Sequence, residues 1–320
     1  MEPANTCAKP MRRKPCSTKW QRTGRWNKVR SAGAMMSEKA RTAWAGRLVA
    51  IALLAAPVFS HAQKKEFKYT VTPGATVTIV NQRGNVTVRA AAGRQVVIQA
   101  SPASDRVEVD AAQTGNRITA RSHMLQKATG DEVRVDYDVQ LPADANISVD
   151  SGSGEVRIEN MRGSVTVVSE EGQVHVTGAA GGFVQVQSVN SGIALNNVQK
   201  SRVQATSTGG AIILNAVAGP SVTAKTTSGA ITFTGDFAGG GNYTFSNHSG
   251  DINVTMPTSA SVDLTARSVN GTVENDFPLQ KAAHAAFQMK EGKSLAGVSN
   301  SGASSVELKS FSGRIRVKKQ

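Results

Sequence analysis

The stretch Ile147-Ser-Val149-Asp-Ser151-Gly-Ser-Gly154-Glu-Val156-Arg-Ile158 reads as two short strands meeting at a glycine corner. Relative to Gly154, apolar residues stand at minus 7, minus 5, plus 2 and plus 4, with a small polar residue at minus 3. Apolar and polar residues alternating on either side of the corner mark strands with one buried face. The pattern recurs at Gly172 (Val165, Val174, Val176), Gly210 (Val203, Ile212, Leu214), Gly229 (Val222, Ala224, Ile231, Phe233) and Gly250 (Tyr243, Phe245, Ile252, Val254). Outlying copies lie at Gly84 (Val77, Ile79, Val86, Val88) and Gly313 (Val306, Leu308, Ile315, Val317). The Gly192 copy is slipped by one in its first strand, using Val184 and Val186, and carries Ile193 at plus 1.

Glycines 154, 172, 192, 210, 229, 250 and 271 are separated by 18, 20, 18, 19, 21 and 21 residues. A sandwich of independent hairpins has no reason to keep such a period, whereas a repeat architecture does. One unit is too small to bury its apolar face alone, and stacking neighbours buries it. The expected fold is therefore all-β, a parallel β-helix or β-solenoid with rungs of 18–21 residues, equivalent strands stacking about 4.8 Å apart. The crossover rule favours a right-handed coil. Each glycine is expected to supply a corner that tolerates positive φ. Position minus 3 carries Asn81, Ser151, Ser169, Ser207, Thr226, Asn247, Ser268 and Ser310, with Val189 the exception. These groups should face inward, bonding one another and the turning backbone; the competing explanation is that Ser, Thr and Asn simply favour turns.

Residues 1–34 hold nine Lys/Arg against one acid, both cysteines (Cys7, Cys16) and no periodic pattern, as expected of an over-extended start. Residues 35–62 read as a secretory signal peptide: Lys39, Arg41 and Arg47 form the basic region, Leu48 to Ala56 the apolar region, and Ser60-His-Ala62 a small-x-small site predicting cleavage between Ala62 and Gln63. The apolar run to Phe59 is too short for a membrane span, which needs about 20 residues. Removing 1–62 leaves 25 basic against 21 acidic residues, a net charge near +4 instead of +14. That small excess gives no electrostatic case for nucleic-acid binding. Residues 63–141 hold alternating strands at a looser period (95–99, 106–110, 117–121, 133–141) and are expected to form a β cap. The regular solenoid is assigned to 142–279. Residues 280–320 hold an irregular insertion, with 281–289 readable as helix or strand, and then a terminal rung whose Lys318-Lys319 should protect the last edge.

At Val135-Asp-Tyr-Asp-Val139, Leu141-Pro-Ala-Asp-Ala145, the corners Ser153-Gly154, Ser191-Gly192, Ser228-Gly229, Ser249-Gly250 and Ser312-Gly313, and the closing Ser-Gly-Arg-Ile-Arg-Val317, the chain resembles the bacterial "putative adhesin" family of β-strand-repeat domains of unknown function. The resemblance covers nearly all of the chain after residue 62. It implies a single-coil β-helix exported to the periplasm or cell surface, and no established activity.

A β-helix enzyme acting on polysaccharides needs two carboxylates a few ångströms apart on one face. Between Gly172 and Gly235 there is no Asp or Glu, leaving mid-solenoid neither an acid/base pair nor an oxygen cage for calcium. Asp150, Glu155, Glu159, Glu170 and Glu171 could cluster on stacked rungs, though such groups are usually a solvated face. His123, His175, His248 and His284 lack metal-ligand spacing; His175 should point outward between Val174 and Val176. Corner serines have no positioned base, and no phosphate-loop lysine follows Gly239-Gly-Gly241. No catalytic, cofactor or metal residue is assigned. What remains is a polar outer face, including Gln185, Gln187, Gln204, Thr206, Thr223 and Thr232, suited to a glycan or an envelope protein. The leading expectation is a non-enzymatic, exported adhesive or structural surface protein. An envelope signalling module that binds a partner protein and a carbohydrate-active β-helix enzyme are the alternatives.

Overall fold

A computed structural model describes residues 64–125, 129–281 and 290–320. The basic leader, the signal segment with Ala62 and Gln63, and the ambiguous stretch 282–289 lie outside the described residues. The described chain is nearly all β, with one short 3-10 turn at Gly130–Val133. It forms a β-solenoid of two facing sheets, one of 13 strands and one of 12.

Each rung gives a longer strand to the first sheet and a shorter one to the second. In the Gly154 rung these are Asn146–Ser153 and Val156–Glu159. The ladders run parallel with no slip: Ile147 pairs with Val165, Val165 with Val184, and so on through Val203, Val222 and Tyr243. Alternation then sends Val165, Val167, Val174, Val176 and their equivalents inward, where they are fully buried. A third, short side carries another inward stack that the spacing did not announce: Met161, Ala179, Val198, Val217 and Phe237. Near the Gly229 and Gly250 rungs, Phe233 stacks on Phe237 at 4.8 Å, and Tyr243 packs edge-on to Phe237 at 4.6 Å. The buried Tyr243 hydroxyl accepts the N–H of Ala238 at 2.8 Å, so the larger side chains widen the core without orphaning a polar group.

The corners explain the period. Gly154 and Gly172 have φ of 116° and 129°, as expected of the left-handed region. Gly229 does not need that freedom. A Cβ there would lie 2.0 Å from the carbonyl oxygen of Gly210 in the rung beneath, so the requirement is close backbone approach. Ser191, not Gly192, occupies the corner in the slipped rung, because Val174 pairs with Ile193. This register moves the minus 3 position to Ser188, and the apparent Val189 exception disappears: Ser169, Ser188 and Ser207 are in direct register. All ten members of the row, from Ser122 and Asn81 to Ser310 and Ser268, are buried. Their bonds go mainly to the corner backbone and not to one another. Thr226 Oγ1 accepts from Gly229 N–H at 3.1 Å and donates to Gly210 O at 3.2 Å, clamping two rungs together. The second corner, at plus 6, is left-handed at Asn160, Gly178, Asn197, Ala216 and Gly235.

Order in space departs from order in sequence at both ends. The Gly84 strand Thr76–Arg83 stacks directly on Asn146–Ser153, so that copy is a full member of the stack. The residues between them turn back over its free end. Arg117–Met124 continues the long-strand sheet and Val135–Pro142 the other, with Val107–Thr114, Gln95–Pro102 and Lys65–Thr70 added antiparallel. At the carboxyl end, the expectation of a terminal rung at the end of the stack is corrected. Ser304–Ser310 lies between Asn242–Asn247 and Val262–Ser268, and Ile315–Lys319 lies between Ile252–Met256 and Val273–Asn275. The physical reason is ladder length: Ile315–Lys319 matches five residues of Ile252–Met256, while Val273–Asn275 offers only three. The shorter strand takes the end. Lys318 and Lys319 pair with Thr255 and Met256 inside the stack, and the long-strand edge is covered instead by antiparallel Ser294–Ser299.

Candidate functional site: the outer face of the long-strand sheet

Because strand residues alternate, the outward positions of the long strands form rows running along the solenoid. One row reads Thr78, Ser148, Thr166, Gln185, Gln204, Thr223, Thr244, Glu307, Thr265. From Thr78 to Thr244 it holds only hydroxyl and amide groups. The parallel row nearer the glycine corner reads Val80, Asp150, Val168, Gln187, Thr206, Lys225, Ser246, Lys309, Arg267. Of the residues singled out from sequence, Gln185, Gln204 and Thr223 share the first row and Gln187 and Thr206 the second. Thr232 lies on the other sheet, beside Ile213. None of the five side chains on the long-strand face has an intramolecular hydrogen-bond partner among the described residues. A shallow depression of about 220 Å³ opens between Val168 and Val189, floored by Gln187 and Thr206, where the slipped rung displaces the corner.

The carboxylates do not gather on this face. Glu155 and Glu159 are on the short-strand face: Glu155 pairs with Arg157, and Arg89 lies between Glu159 at 3.9 Å and Asp138 at 3.0 Å. Asp150 is on the long-strand face, and Glu170 and Glu171 are at the corner beyond it. His175 does point outward, its Nε2 3.2 Å from Gln173 Oε1 and 3.6 Å from Glu155. His123 lies near Asp110 (3.3 Å) and Glu108 (3.8 Å) on the cap hairpin. His284 is outside the described residues. Among the described residues no group of three or more His, Cys, Asp or Glu is placed to hold a metal ion. Most of the perturbed ionisations are local matters of the cap; in the solenoid the Glu155 carboxylate holds the Arg157 guanidinium above its usual range. The Arg94 guanidinium holds the Asp144 carboxyl below its usual range, and burial pushes the Tyr137 phenol up to about 12.

Sequence reasoning missed the far end of the face. There Lys225, Lys309 and Arg267 share a row, and beside them His248 stacks on Phe311 with ring centroids 4.6 Å apart and planes within 5°. Phe311 and its neighbour Val269 are each 44% exposed. Position minus 4 from the corner glycine carries the cations and minus 2 the ledge, a signal visible once those columns are tabulated.

The rungs, their corners and all of the cap but the strand Lys65–Thr70 fall within one known family, whose match runs from residue 75 to residue 318. The chain belongs to the Toastrack DUF4097 family. Toastrack is a family of unknown function, in agreement with the expected β-repeat resemblance. No curated protein matches the chain. Among solved structures, similarity is found to a putative adhesin of Bacteroides fragilis (14% identity, 81% of this chain and 97% of that one, TM-score 0.47). A putative cell adhesion protein of Clostridium sporogenes is also similar (13% identity, 81% and 100%, TM-score 0.29). So is a putative adhesin of Parabacteroides merdae (11% identity, 81% and 96%, TM-score 0.31).

Proposed function

We propose that this Toastrack protein is an exported, non-enzymatic surface solenoid that binds glycan along the outer face of its long-strand sheet. The observation that carries the reading is the uncharged row from Thr78 to Thr244. Seven successive rungs present a side-chain hydroxyl or amide group, about 4.8 Å apart, none of them engaged by another of the described residues. A polymer of hydroxyl-bearing units meets such a row with repeated donors and acceptors. The dispersal of Asp150, Glu155 and Glu159 over two faces supports binding without cleavage, and the basic-apolar-small pattern of residues 35–62 supports export.

The test is a glycan array read with the full chain and with a Gln185→Ala/Gln204→Ala/Thr223→Ala variant, alongside an assay of reducing-sugar release. Binding that the triple variant loses at unchanged melting temperature supports the reading. Release of reducing ends by the wild-type chain overturns it in favour of an enzyme. A protein partner is the second reading, favoured by Ile213, 40% exposed on the short-strand face between Ala194 and Thr232. Crosslinking in envelope extracts, lost on Ile213→Ser, supports that alternative.

A further inference from the structure

The end of the long-strand face at the Gly250, Gly313 and Gly271 rungs breaks two rules that an inert surface keeps. Lys309 and Arg267 are direct neighbours across the parallel ladder, and like charges so placed are destabilising. Phe311 and Val269 are each 44% exposed on consecutive rungs, and Phe311 is stacked flat on His248, so the apolar groups form a ledge and not scattered single contacts. Lys293 brings its Nζ to 3.4 Å from the Val269 carbonyl oxygen, at the rim of that ledge. Local rule-breaking is expected at functional sites. The ordinary explanation, a solvated face, accounts for each lysine singly but not for an adjacent cation pair beside an exposed aromatic ledge.

We propose that this patch binds the ligand's charge: the glycan is an acidic polysaccharide carrying carboxylate or sulfate groups on its rings. This rests on the glycan-binding reading above and adds the ligand's chemistry and its point of contact. Lys225, Lys309 and Arg267 occupy one row across four rungs, with Ser246 between the first two. At the strand spacing the cations stand about 10 Å and about 5 Å apart, a match to anionic groups on alternate or successive sugars of an extended chain. Glu307 holds Lys309 at 2.6 Å, but both are exposed and such a pair contributes little, so an incoming anion competes for the ammonium at small cost. The exposed edge of the Phe311–His248 stack, with Val269 beside it, offers apolar contact to the C–H side of a sugar ring. The uncharged row then continues from this anchor toward the Gly154 rung.

The experiment compares retention of the full chain on immobilised polygalacturonate (carboxylate), dextran sulfate (sulfate) and neutral dextran. The variants are Lys225→Gln/Lys309→Gln, Phe311→Ser and, as a charge-matched control inside the same stack, Lys318→Gln/Lys319→Gln. The expected result is retention on one or both acidic polymers, weakened by salt, about tenfold lower affinity for the first variant, a comparable loss for Phe311→Ser, and no change for the control. Whichever acidic polymer binds identifies the anionic group. Equal losses in the control and the Lys225/Lys309 variant would reduce the effect to generic charge and overturn the patch. Equal binding to neutral dextran, insensitive to all three variants, overturns the patch while leaving the glycan reading standing. Retention on none of the polymers, with no glycan bound on the array, overturns both.

Discussion

Two glycines that look alike in the sequence should respond oppositely to the same substitution. A Cβ on Gly229 would sit 2.0 Å from the Gly210 carbonyl oxygen, where real Cβ atoms keep at least 3.0 Å. The two rungs must therefore separate by about 1 Å of their about 4.8 Å spacing. Opening them strains the half of the Thr226 clamp that crosses between rungs, from Thr226 Oγ1 to Gly210 O, about 1 kcal/mol. Overpacking adds roughly 1–3 kcal/mol, and the stiffer unfolded chain returns about 0.4–1 kcal/mol. Gly229→Ala should thus destabilise by about 2 kcal/mol. Gly192 lies beside the corner and not in it. Its nearest neighbour would be Ala211 O at 3.5 Å, an ordinary contact, and its φ is outside the left-handed region. Gly192→Ala should be neutral or stabilising by up to about 1 kcal/mol. Guanidinium unfolding followed by circular dichroism measures both, with the comparison made at equal m. Equal destabilisation by the two variants would refute the assignment of Ser191 to the corner, and a Gly229→Ala midpoint near wild type would refute close approach as the reason for the glycine.

Deleting residues 304–320 removes the rung between Asn242–Asn247 and Val262–Ser268; limited proteolysis read by mass spectrometry should then cut throughout 257–303 while the rungs before Met256 stay protected, because repeats depend on their neighbours. Tyr137 is buried with a phenol pushed up to about 12 and a hydroxyl that has no geometric partner. Its neutral form contributes stability that is complete below pH 10 and lost as pH rises through about 12, a swing of roughly 2–3 kcal/mol. Tyr137→Phe should abolish that alkaline loss in melts between pH 9 and 12 at little cost at pH 7. Arg94→Ala should return the Asp144 carboxyl, now held down by contacts of 2.8 and 2.9 Å, to its ordinary range in an NMR titration, with any associated loss of stability appearing at neutral pH and not in acid.

The solenoid was legible because burial in a stacked strand is decided by residue spacing alone: Val165, Val174 and their equivalents each state their own face. The inward polar row was legible for the same reason. Its one misreading, Val189, arose because the glycine was used as the ruler, whereas backbone register is set by the strands and Ser191 can turn the corner. The order of rungs was not legible. Adjacent rungs are chosen by how much ladder each offers, and the five-residue match between Ile252–Met256 and Ile315–Lys319 is a property of two segments compared, not of the distance between them along the chain. The long-strand face was half legible. Gln185, Gln204 and Thr223 stood out as a polar column, but Phe311 and His248 are far apart in sequence and meet only because the last rung lies against the Gly250 rung.

That insertion shapes what the surface can do. With the terminal rung at the end of the stack, Lys309 would have had a free flank, and Phe311 would have stood one rung away from His248's current partner position. Placed between the Gly250 and Gly271 rungs, the segment brings Phe311 onto His248 on one side and Lys309 against Arg267 on the other. The long-strand sheet meanwhile ends on antiparallel strands at both extremes, Val107–Thr114 and Ser294–Ser299 with Gln280–Lys281, which do not offer the next parallel rung that axial growth would require. On the glycan-binding proposal, contact with a long ligand would therefore be lateral. Nine rungs at about 4.8 Å give a face of roughly 40 Å, with hydrogen-bonding groups along its length and charge concentrated at one end. Such a face would gain affinity by engaging successive units of one chain, each weakly, because the first contact raises the effective concentration of the next. On the same proposal the charged end would supply the long-range attraction and fix which way along the solenoid the glycan chain lies.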